Sequence, residues 1–166
     1  MLDRLFKKHP PAGPLKLHLG CGPHAMPGWV NLDNQPYPGV DRVIDLAKGI
    51  PFEGASFNFA EHFIEHLDFR DALALMRECR RALDDHGVLR LSTPNLDWVW
   101  ATHYRLDADA GQTLQDCFHL NRAFRGWGHQ FLYNETTLRA VLQLAGFATV
   151  ARCAYGESGH AELRGL

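Results

Sequence analysis

A short glycine turn between two apolar runs constrains this chain more than any other feature. Residues 17–33 read LHLGCGPHAMPGWVNLD, in which the first run breaks at Gly20 and Gly22 and the second ends on Asp33. The pattern is typical of a buried strand that leads into a ligand-binding turn at the carboxyl end of a parallel sheet. A proline–glycine pair before the second run leaves room for at most one turn of helix.

Short apolar runs alternate with two helical patterns along the chain. Strands are predicted over 16–20, 29–33, 41–46, 57–63, 87–94 and 148–156, and helices over 70–85 and 135–147. Asp68 is predicted to cap the first helix and Gly87 to end it. This alternation favours a mostly parallel sheet covered on both faces, so the predicted fold class is a Rossmann-like three-layer α/β sandwich.

The 166 residues have the length of one domain. Residues 1–14 are predicted to be a flexible lead-in, and residues 15–166 a single domain. Residues 95–133 show no clear periodicity and are predicted to form an irregular segment on the substrate side of the sheet. Four of its polar residues are candidates to face a substrate, namely His119, Asn121, Arg122 and His129.

Composition and charge argue against two kinds of partner. A formal net charge of −2 gives no basic face for nucleic acid. No apolar run is long enough to cross a bilayer, and no apolar stretch follows the first lysines as it would in a signal peptide. The cysteines are scattered without a CxxC pair and are predicted to be free thiols. The chain is therefore predicted to be cytoplasmic.

Two kinds of cofactor use such a glycine turn. A dinucleotide needs a third glycine, a helix and an acid about 20 residues on, but here Ala25 replaces that glycine and Asp33 follows Gly22 by eleven positions (33 − 22). S-adenosylmethionine has no phosphate and needs no helix dipole. It needs a close backbone approach, which glycine permits, and a carboxylate for its ribose hydroxyls. Asp33 supplies that carboxylate, and Asp45 with Leu46 suits the adenine.

Six runs, in this order, resemble the class I S-adenosylmethionine-dependent methyltransferases: LHLGCGP, NLD, DL–IPF, EHFIEHL, RALDDHGVLRLSTPN and HQFLYNETTLRAVLQLAGF. They are most similar to small bacterial methyltransferase-domain proteins (type 11-like) of sugar and polysaccharide pathways. The resemblance implies methyl transfer to a small-molecule acceptor, such as a sugar or polysaccharide precursor. It implies a cofactor pocket lined by Gly20, Cys21, Gly22, Asp33, Asp45, Leu46, Glu61 and His62, the last two beside the sulfonium.

Two alternatives stay open beside the methyltransferase hypothesis. One is a non-catalytic binding protein with the same fold, and the other is a dinucleotide or nucleotide-sugar enzyme that uses the same crevice. For a hydroxyl acceptor, His62 and His129 are the candidate catalytic bases, because an imidazole exchanges protons near neutral pH. Cys21 is interpreted as a small residue tolerated in the turn rather than as a nucleophile.

Residues 62–66 spell HxxEH, a zinc-protease pattern. The pattern falls at a strand-to-helix turn rather than inside a long helix, and the sequence identifies no third ligand. No metal site is therefore predicted.

The resemblance also implies a seventh strand, for which the residues after Gly156 contain no apolar run. The sheet is predicted to lack this strand, and whether the chain is a truncated product stays open. A predicted sixth strand over 148–156 would then expose an unpaired edge, which favours a homodimer.

Overall fold

The computed structural model describes residues 13–166, and five strands within them form one parallel sheet. The strands are β1 (Lys16–Leu19), β2 (Val30–Asp33), β3 (Arg42–Val43), β4 (Ala55–Glu61) and β5 (Leu83–Ser92), in the order β3-β2-β1-β4-β5. The chain runs outward from β1 through β3 and then returns to the other side of β1. The topology therefore switches direction between β1 and β4, where ligands bind in sheets of this kind. The Rossmann-like α/β class is confirmed.

Four helices accompany the sheet: α1 (Phe69–Ala82), α2 (Leu96–His103), α3 (Ala110–Arg125) and α4 (Glu135–Leu144). Short 3₁₀ turns cover Leu46–Lys48, Ile64–His66 and Ala161–Leu163. Asp68 caps α1 as predicted, since its carboxylate accepts a hydrogen bond from the Asp71 amide at 2.8 Å. Within residues 13–166, no helix is long and apolar enough to cross a membrane.

The main core lies between one face of the sheet and helices α1 and α4. Leu17 and Leu19 of β1 are fully buried there and share a cluster with Leu75 and Met76 of α1 and Val141 of α4. Burying each large aliphatic side chain contributes about 1.5–3 kcal/mol. No helix forms between β1 and β2, as the proline–glycine pair predicts, so backbone turns alone connect them.

The prediction of an irregular segment over residues 95–133 is wrong, because α2 and α3 lie within it. The apolar side chains of α3 do not form a buried stripe, because Leu114 and Phe118 are exposed. The sequence therefore lacks the apolar periodicity of an amphipathic helix here. The helix is held instead by polar contacts. Asp109 caps it by accepting from the Gln112 amide at 2.9 Å, and the buried Asp116 pairs with Arg105 at 3.1 Å.

Gly87 does not end α1, which stops at Ala82 and passes directly into β5. Leu83 already pairs with Ala55, and a shift in register follows before Val88 pairs with Phe57. A Cβ on Gly87 would lie 2.8 Å from the Ala55 carbonyl oxygen. The glycine is therefore required by the close approach of two strands.

The predicted sixth strand over residues 148–156 does not form. Arg139 of α4 donates a hydrogen bond to the Val150 carbonyl. In a sheet, this carbonyl would accept from a neighbouring strand. The chain then folds back on itself, with the Gly165 amide donating to the Gly156 carbonyl at 2.8 Å. The homodimer stays an untested prediction, and the strand edge from which it was argued is absent. The predicted lead-in over 1–14 lies almost wholly outside the described residues.

Candidate functional site

The carboxyl ends of four strands bring the predicted cofactor residues to one edge of the sheet. Gly20 follows β1, Asp33 ends β2, Asp45 follows β3 and His62 follows β4. The crevice at this edge is lined by Gly20, Asp33, Asn34, Ile44, Asp45, Leu46, Ala47, Phe63 and Leu67. Four of the predicted cofactor residues thus line the crevice, whereas Cys21, Gly22, Glu61 and His62 lie beside it.

The glycine turn is pinned to β2 by backbone hydrogen bonds. The amides of Gly20 and Cys21 both donate to the Leu32 carbonyl, at 2.9 and 3.1 Å. Gly20 has φ +67° and Gly22 has φ +51°, a region that side chains with a Cβ disfavour. The space around Gly22 is open, since a Cβ there would meet nothing within 4 Å. The turn therefore exposes bare backbone to a ligand.

Asp33 is the best-placed carboxylate for a ribose. It is only 8% exposed, and each of its oxygens accepts one backbone N–H: Oδ2 from Gly22 at 2.8 Å and Oδ1 from Gln35 at 2.9 Å. A carboxylate offers about four acceptor positions, so about two remain for a pair of hydroxyl donors. The same bonds hold the carboxylate in place before any ligand arrives.

Asp45 and Leu46 form one rim of the crevice. Leu46 is buried, while Asp45 is half exposed and accepts from the Ala47 amide at 3.1 Å. The Lys48 ammonium, 3.1 Å from the other Asp45 oxygen, lowers the pKa of this carboxyl. The rim therefore offers a charged acceptor beside an apolar wall.

Cys21 is not a nucleophile in this setting. Its side chain is buried, and desolvation raises the pKa of the thiol to about 11. Because the thiolate is the reactive form of cysteine, the group is inert near neutral pH. The interpretation of Cys21 as a small residue in the turn agrees with this environment.

Phe63 is a crevice residue that the sequence analysis missed. Its ring packs directly on Gly20, where a Cβ would lie 2.5 Å from Phe63 Cδ2. The crevice has a volume of about 60 Å³, against about 300–1,000 Å³ for most small-molecule sites. A ligand the size of a nucleoside must therefore widen the crevice. Phe63 is the side chain that would have to move, because its ring packs on the glycine turn.

His62 has a backbone conformation that marks a constrained site. Its φ of +47° is the one positive value at a non-glycine residue within 13–166, and such conformations cost about 1–3 kcal/mol. The His62 amide donates to the Ser92 carbonyl of β5 at 2.9 Å, and Nδ1 lies 3.1 Å from Glu65 Oε1. The side chain is 61% exposed, so its other ring nitrogen is open to a ligand.

Glu65 is fully buried next to His62. Its Oε2 accepts from the Thr93 hydroxyl at 3.0 Å, and its backbone carbonyl accepts from the Gln130 amide at 2.7 Å. Burial, and then the Glu65 charge, raises the pKa of Tyr133 to about 12, so this buried tyrosine stays protonated. The one sequence signal for Glu65 is its place in the HxxEH pattern.

His129 reaches the same place from the far end of the 95–133 segment. This segment returns to its own start, where Asn95 and Tyr133 form a parallel bridge. His129 is buried, with Nδ1 2.8 Å from the Ala123 carbonyl and its ring 5.0 Å from that of His66. The other three predicted substrate-facing residues of this segment, His119, Asn121 and Arg122, are exposed on α3.

A wider depression of about 520 Å³ lies in the C-terminal segment and is lined by residues between Arg152 and Arg164. It contains none of the residues at the strand ends. The narrow crevice, with its bare backbone and fixed carboxylate, is therefore the candidate site.

Comparisons with known proteins show the family of the chain. A family model described as a methyltransferase domain matches residues 2–152. No curated protein matches the chain.

Many solved structures share the fold. They include a structure of LepI in complex with SAM (TM-score 0.52, 16% identity, covering 87% of this chain and 41% of that one). The mitomycin 7-O-methyltransferase MmcR matches with TM-score 0.53 and 16% identity over 84% of this chain and 44% of that one. A SAM-dependent methyltransferase from Archaeoglobus fulgidus matches with TM-score 0.55 and 17% identity over 83% and 62%. The chain thus spans about half the length of these proteins.

Proposed function

Because the chain belongs to the methyltransferase-domain family, we propose that it transfers a methyl group from S-adenosylmethionine to a hydroxyl of a small-molecule acceptor. The observation that carries this proposal is the meeting of the glycine turn and Asp33 at the switch point of the sheet. The resemblance to enzymes of sugar and polysaccharide pathways favours a sugar or one of its precursors as the acceptor. The neighbour named as an O-methyltransferase supports a hydroxyl as the methylated group.

The residues present fit the cofactor. Gly22 leaves open space beside its backbone, and Asp33 retains acceptor positions for the ribose hydroxyls. Ile44 and Leu46 give apolar surface for an adenine, with the Asp45 carboxylate as a polar partner for its amine. S-adenosylmethionine brings a methyl group already activated on a sulfonium, so the chain has to align the acceptor and remove its proton.

His62 is the candidate for the proton transfer. With Glu65 Oε1 as the acceptor of the 3.1 Å contact, the proton of His62 lies on Nδ1 and Nε2 is free. The acceptor O–H bond would break with its proton moving to His62 Nε2, as the oxygen bonds to the methyl carbon. The transferred methyl group would come from the sulfonium of bound S-adenosylmethionine, which becomes S-adenosylhomocysteine.

Residues 15–166 would act as one domain in this reaction, with the 95–133 segment on the acceptor side. Its return brings His129 beside His66, close to the buried Glu65. His129 is too enclosed to serve as the freely exposed base that His62 offers. We assign it to the acceptor side of the site.

The proposed function predicts direct binding of S-adenosylmethionine or its demethylated product. Isothermal titration calorimetry on the purified chain should show saturable binding of either ligand, because the turn and Asp33 suit a ribose without phosphates. NAD should bind far more weakly, since no helix follows the glycine turn between β1 and β2 to hold its pyrophosphate. Binding of NAD without binding of S-adenosylmethionine would refute the proposal. Binding without turnover on any hydroxylated acceptor would favour the non-catalytic alternative.

Replacing Asp33 with alanine should weaken binding of S-adenosylmethionine by about 1.5–3 kcal/mol, the scale for hydrogen bonds to a charged group. Asp41→Ala is the matched control. Asp41 also accepts from a backbone amide of β2, that of Asn31 at 2.9 Å, but does not line the crevice. Calorimetry on both variants separates the two roles. Equal affinity in Asp33→Ala and the parent would exclude Asp33 from ribose binding.

A further inference from the structure

The fold brings two residues of the HxxEH pattern next to a histidine from a distant segment. Glu65, His66 and His129 each place one ligand atom within 4.8 Å of the others. The third member comes from the end of the 95–133 segment and was not recognisable as such from the sequence. Ligand atoms stand about 2.0–2.2 Å from a bound zinc ion, so a modest closure of these side chains would bring all three onto one ion.

The burial of the Glu65 carboxyl group favours a cation at this point. The side chain is 0% exposed, and a buried carboxylate is costly unless it is paired or bound to a metal. Its hydrogen-bond partners within the described chain are His62 and the Thr93 hydroxyl, and no lysine or arginine pairs with it there. The buried Tyr133 hydroxyl nearby also lacks a hydrogen-bond partner among these residues. A bound cation would therefore give this buried carboxyl group a partner beyond its two hydrogen bonds.

One ring nitrogen of His129 is already held by a hydrogen bond, as in most metal-binding histidines. A carbonyl only accepts, so the contact of 2.8 Å with Ala123 fixes the proton on Nδ1 and leaves the Nε2 lone pair available. Such a hydrogen bond on the second nitrogen accompanies almost every metal-binding histidine. Gln130 ties the two segments together, since its side-chain amide donates to the His66 carbonyl at 2.6 Å. The two segments are thus held in register around the cluster.

We propose that Glu65, His66 and His129 bind a divalent first-row transition-metal ion, and that an open position on this ion takes an oxygen of the acceptor. Two imidazoles and one carboxylate form the donor set of catalytic zinc sites and of other first-row metals. Magnesium and calcium prefer oxygen ligands and suit this set poorly.

The two halves of the proposal have different premises. Metal binding depends only on the cluster, whereas the role of the ion rests on the proposed methyl transfer. A metal-bound hydroxyl loses its proton more readily, and His62 contacts the same Glu65 carboxylate. The ion would therefore hold the acceptor oxygen next to the group that receives its proton. This arrangement favours a hydroxylated acceptor.

Cobalt(II) is a suitable probe, because its visible absorption reports a nitrogen-containing ligand set. Untagged, metal-free protein should develop a saturable absorption band with Co²⁺, and Zn²⁺ but not Mg²⁺ should displace it. His66→Ala and His129→Ala should each weaken binding at least about 100-fold, beyond the 10–100-fold loss typical of an outer partner. Glu65→Gln, which keeps the side-chain shape, should have a similar effect with little change in the melting temperature.

The matched control is a second histidine pair, His103 and His119, whose rings lie 5.5 Å apart but which belong to no such metal-ligand cluster within residues 13–166. The double variant His103→Ala, His119→Ala should bind Co²⁺ as the parent does. Loss of binding in this control, or equal binding in the parent and His129→Ala, would overturn the proposal. Titration of S-adenosylmethionine into the same samples keeps the tests apart: a chain that binds metal but no cofactor refutes the methyltransferase function and leaves the metal site standing.

Discussion

Replacing His62 with asparagine should lower the turnover number about 10²- to 10⁴-fold, the usual contribution of a positioned general base. Asparagine tolerates a positive φ, so the variant keeps the backbone at +47° while it removes the proton acceptor. Cofactor affinity should change little, because His62 does not line the crevice. Turnover is measured as release of S-adenosylhomocysteine with an acceptor found by screening sugars and their precursors.

A histidine at the opposite end of the sheet provides the control. His86 is exposed near the start of β5, far along the strand from the carboxyl ends, and His86→Asn should match the parent. Cobalt binding should also survive in His62→Asn, since His62 is not one of the three proposed ligands. A His62→Asn variant that turns over as fast as the parent would remove His62 from the proton transfer.

The sequence predicted those parts of the fold that depend on local pattern. β1 and β2 have nearly the predicted bounds, because apolar residues run without interruption between turn residues at both. The N-terminal cap of α1 and the positions of Asp33 and Asp45 followed from the same local signals. These residues reach one crevice because parallel strands place their carboxyl ends at the same edge.

Contacts between distant segments account for what the sequence missed. Residues 148–156 have a strand-like composition, but Arg139 takes the Val150 carbonyl and the tail closes on Gly156. Helix α3 is stabilised by Asp109 and Asp116 while its apolar side chains face outward, so its periodicity gave no signal. His129 joins Glu65 only because the 95–133 segment returns to its own start, where Asn95 pairs with Tyr133. None of these contacts produces a recognisable pattern in a short window of sequence.

Replacing Gly20 with alanine should destabilise the fold and close the crevice together. A residue with a Cβ at φ +67° costs about 1–2 kcal/mol. The new Cβ would also lie 2.5 Å from Phe63, and such overpacking costs about 1–3 kcal/mol. The free energy of unfolding should therefore fall by about 2–5 kcal/mol. Affinity for S-adenosylmethionine should also fall, because the alanine side chain fills the space in which the ligand would contact the backbone of the turn.

Gly22→Ala separates the two causes, because Gly22 has φ +51° but a Cβ there meets nothing within 4 Å. Its free energy of unfolding should fall only by the cost of the backbone conformation, about 1–2 kcal/mol. Combining Gly20→Ala with Phe63→Ala should recover the contact share, so the double-mutant cycle should show a coupling of about 1–3 kcal/mol. Urea unfolding of the four variants and the parent gives these values. If Gly20→Ala and Gly22→Ala lower the free energy of unfolding equally and the cycle shows no coupling, the Phe63 ring moves aside at no cost. Phe63 would then be a mobile side chain at the crevice rather than a fixed part of the site.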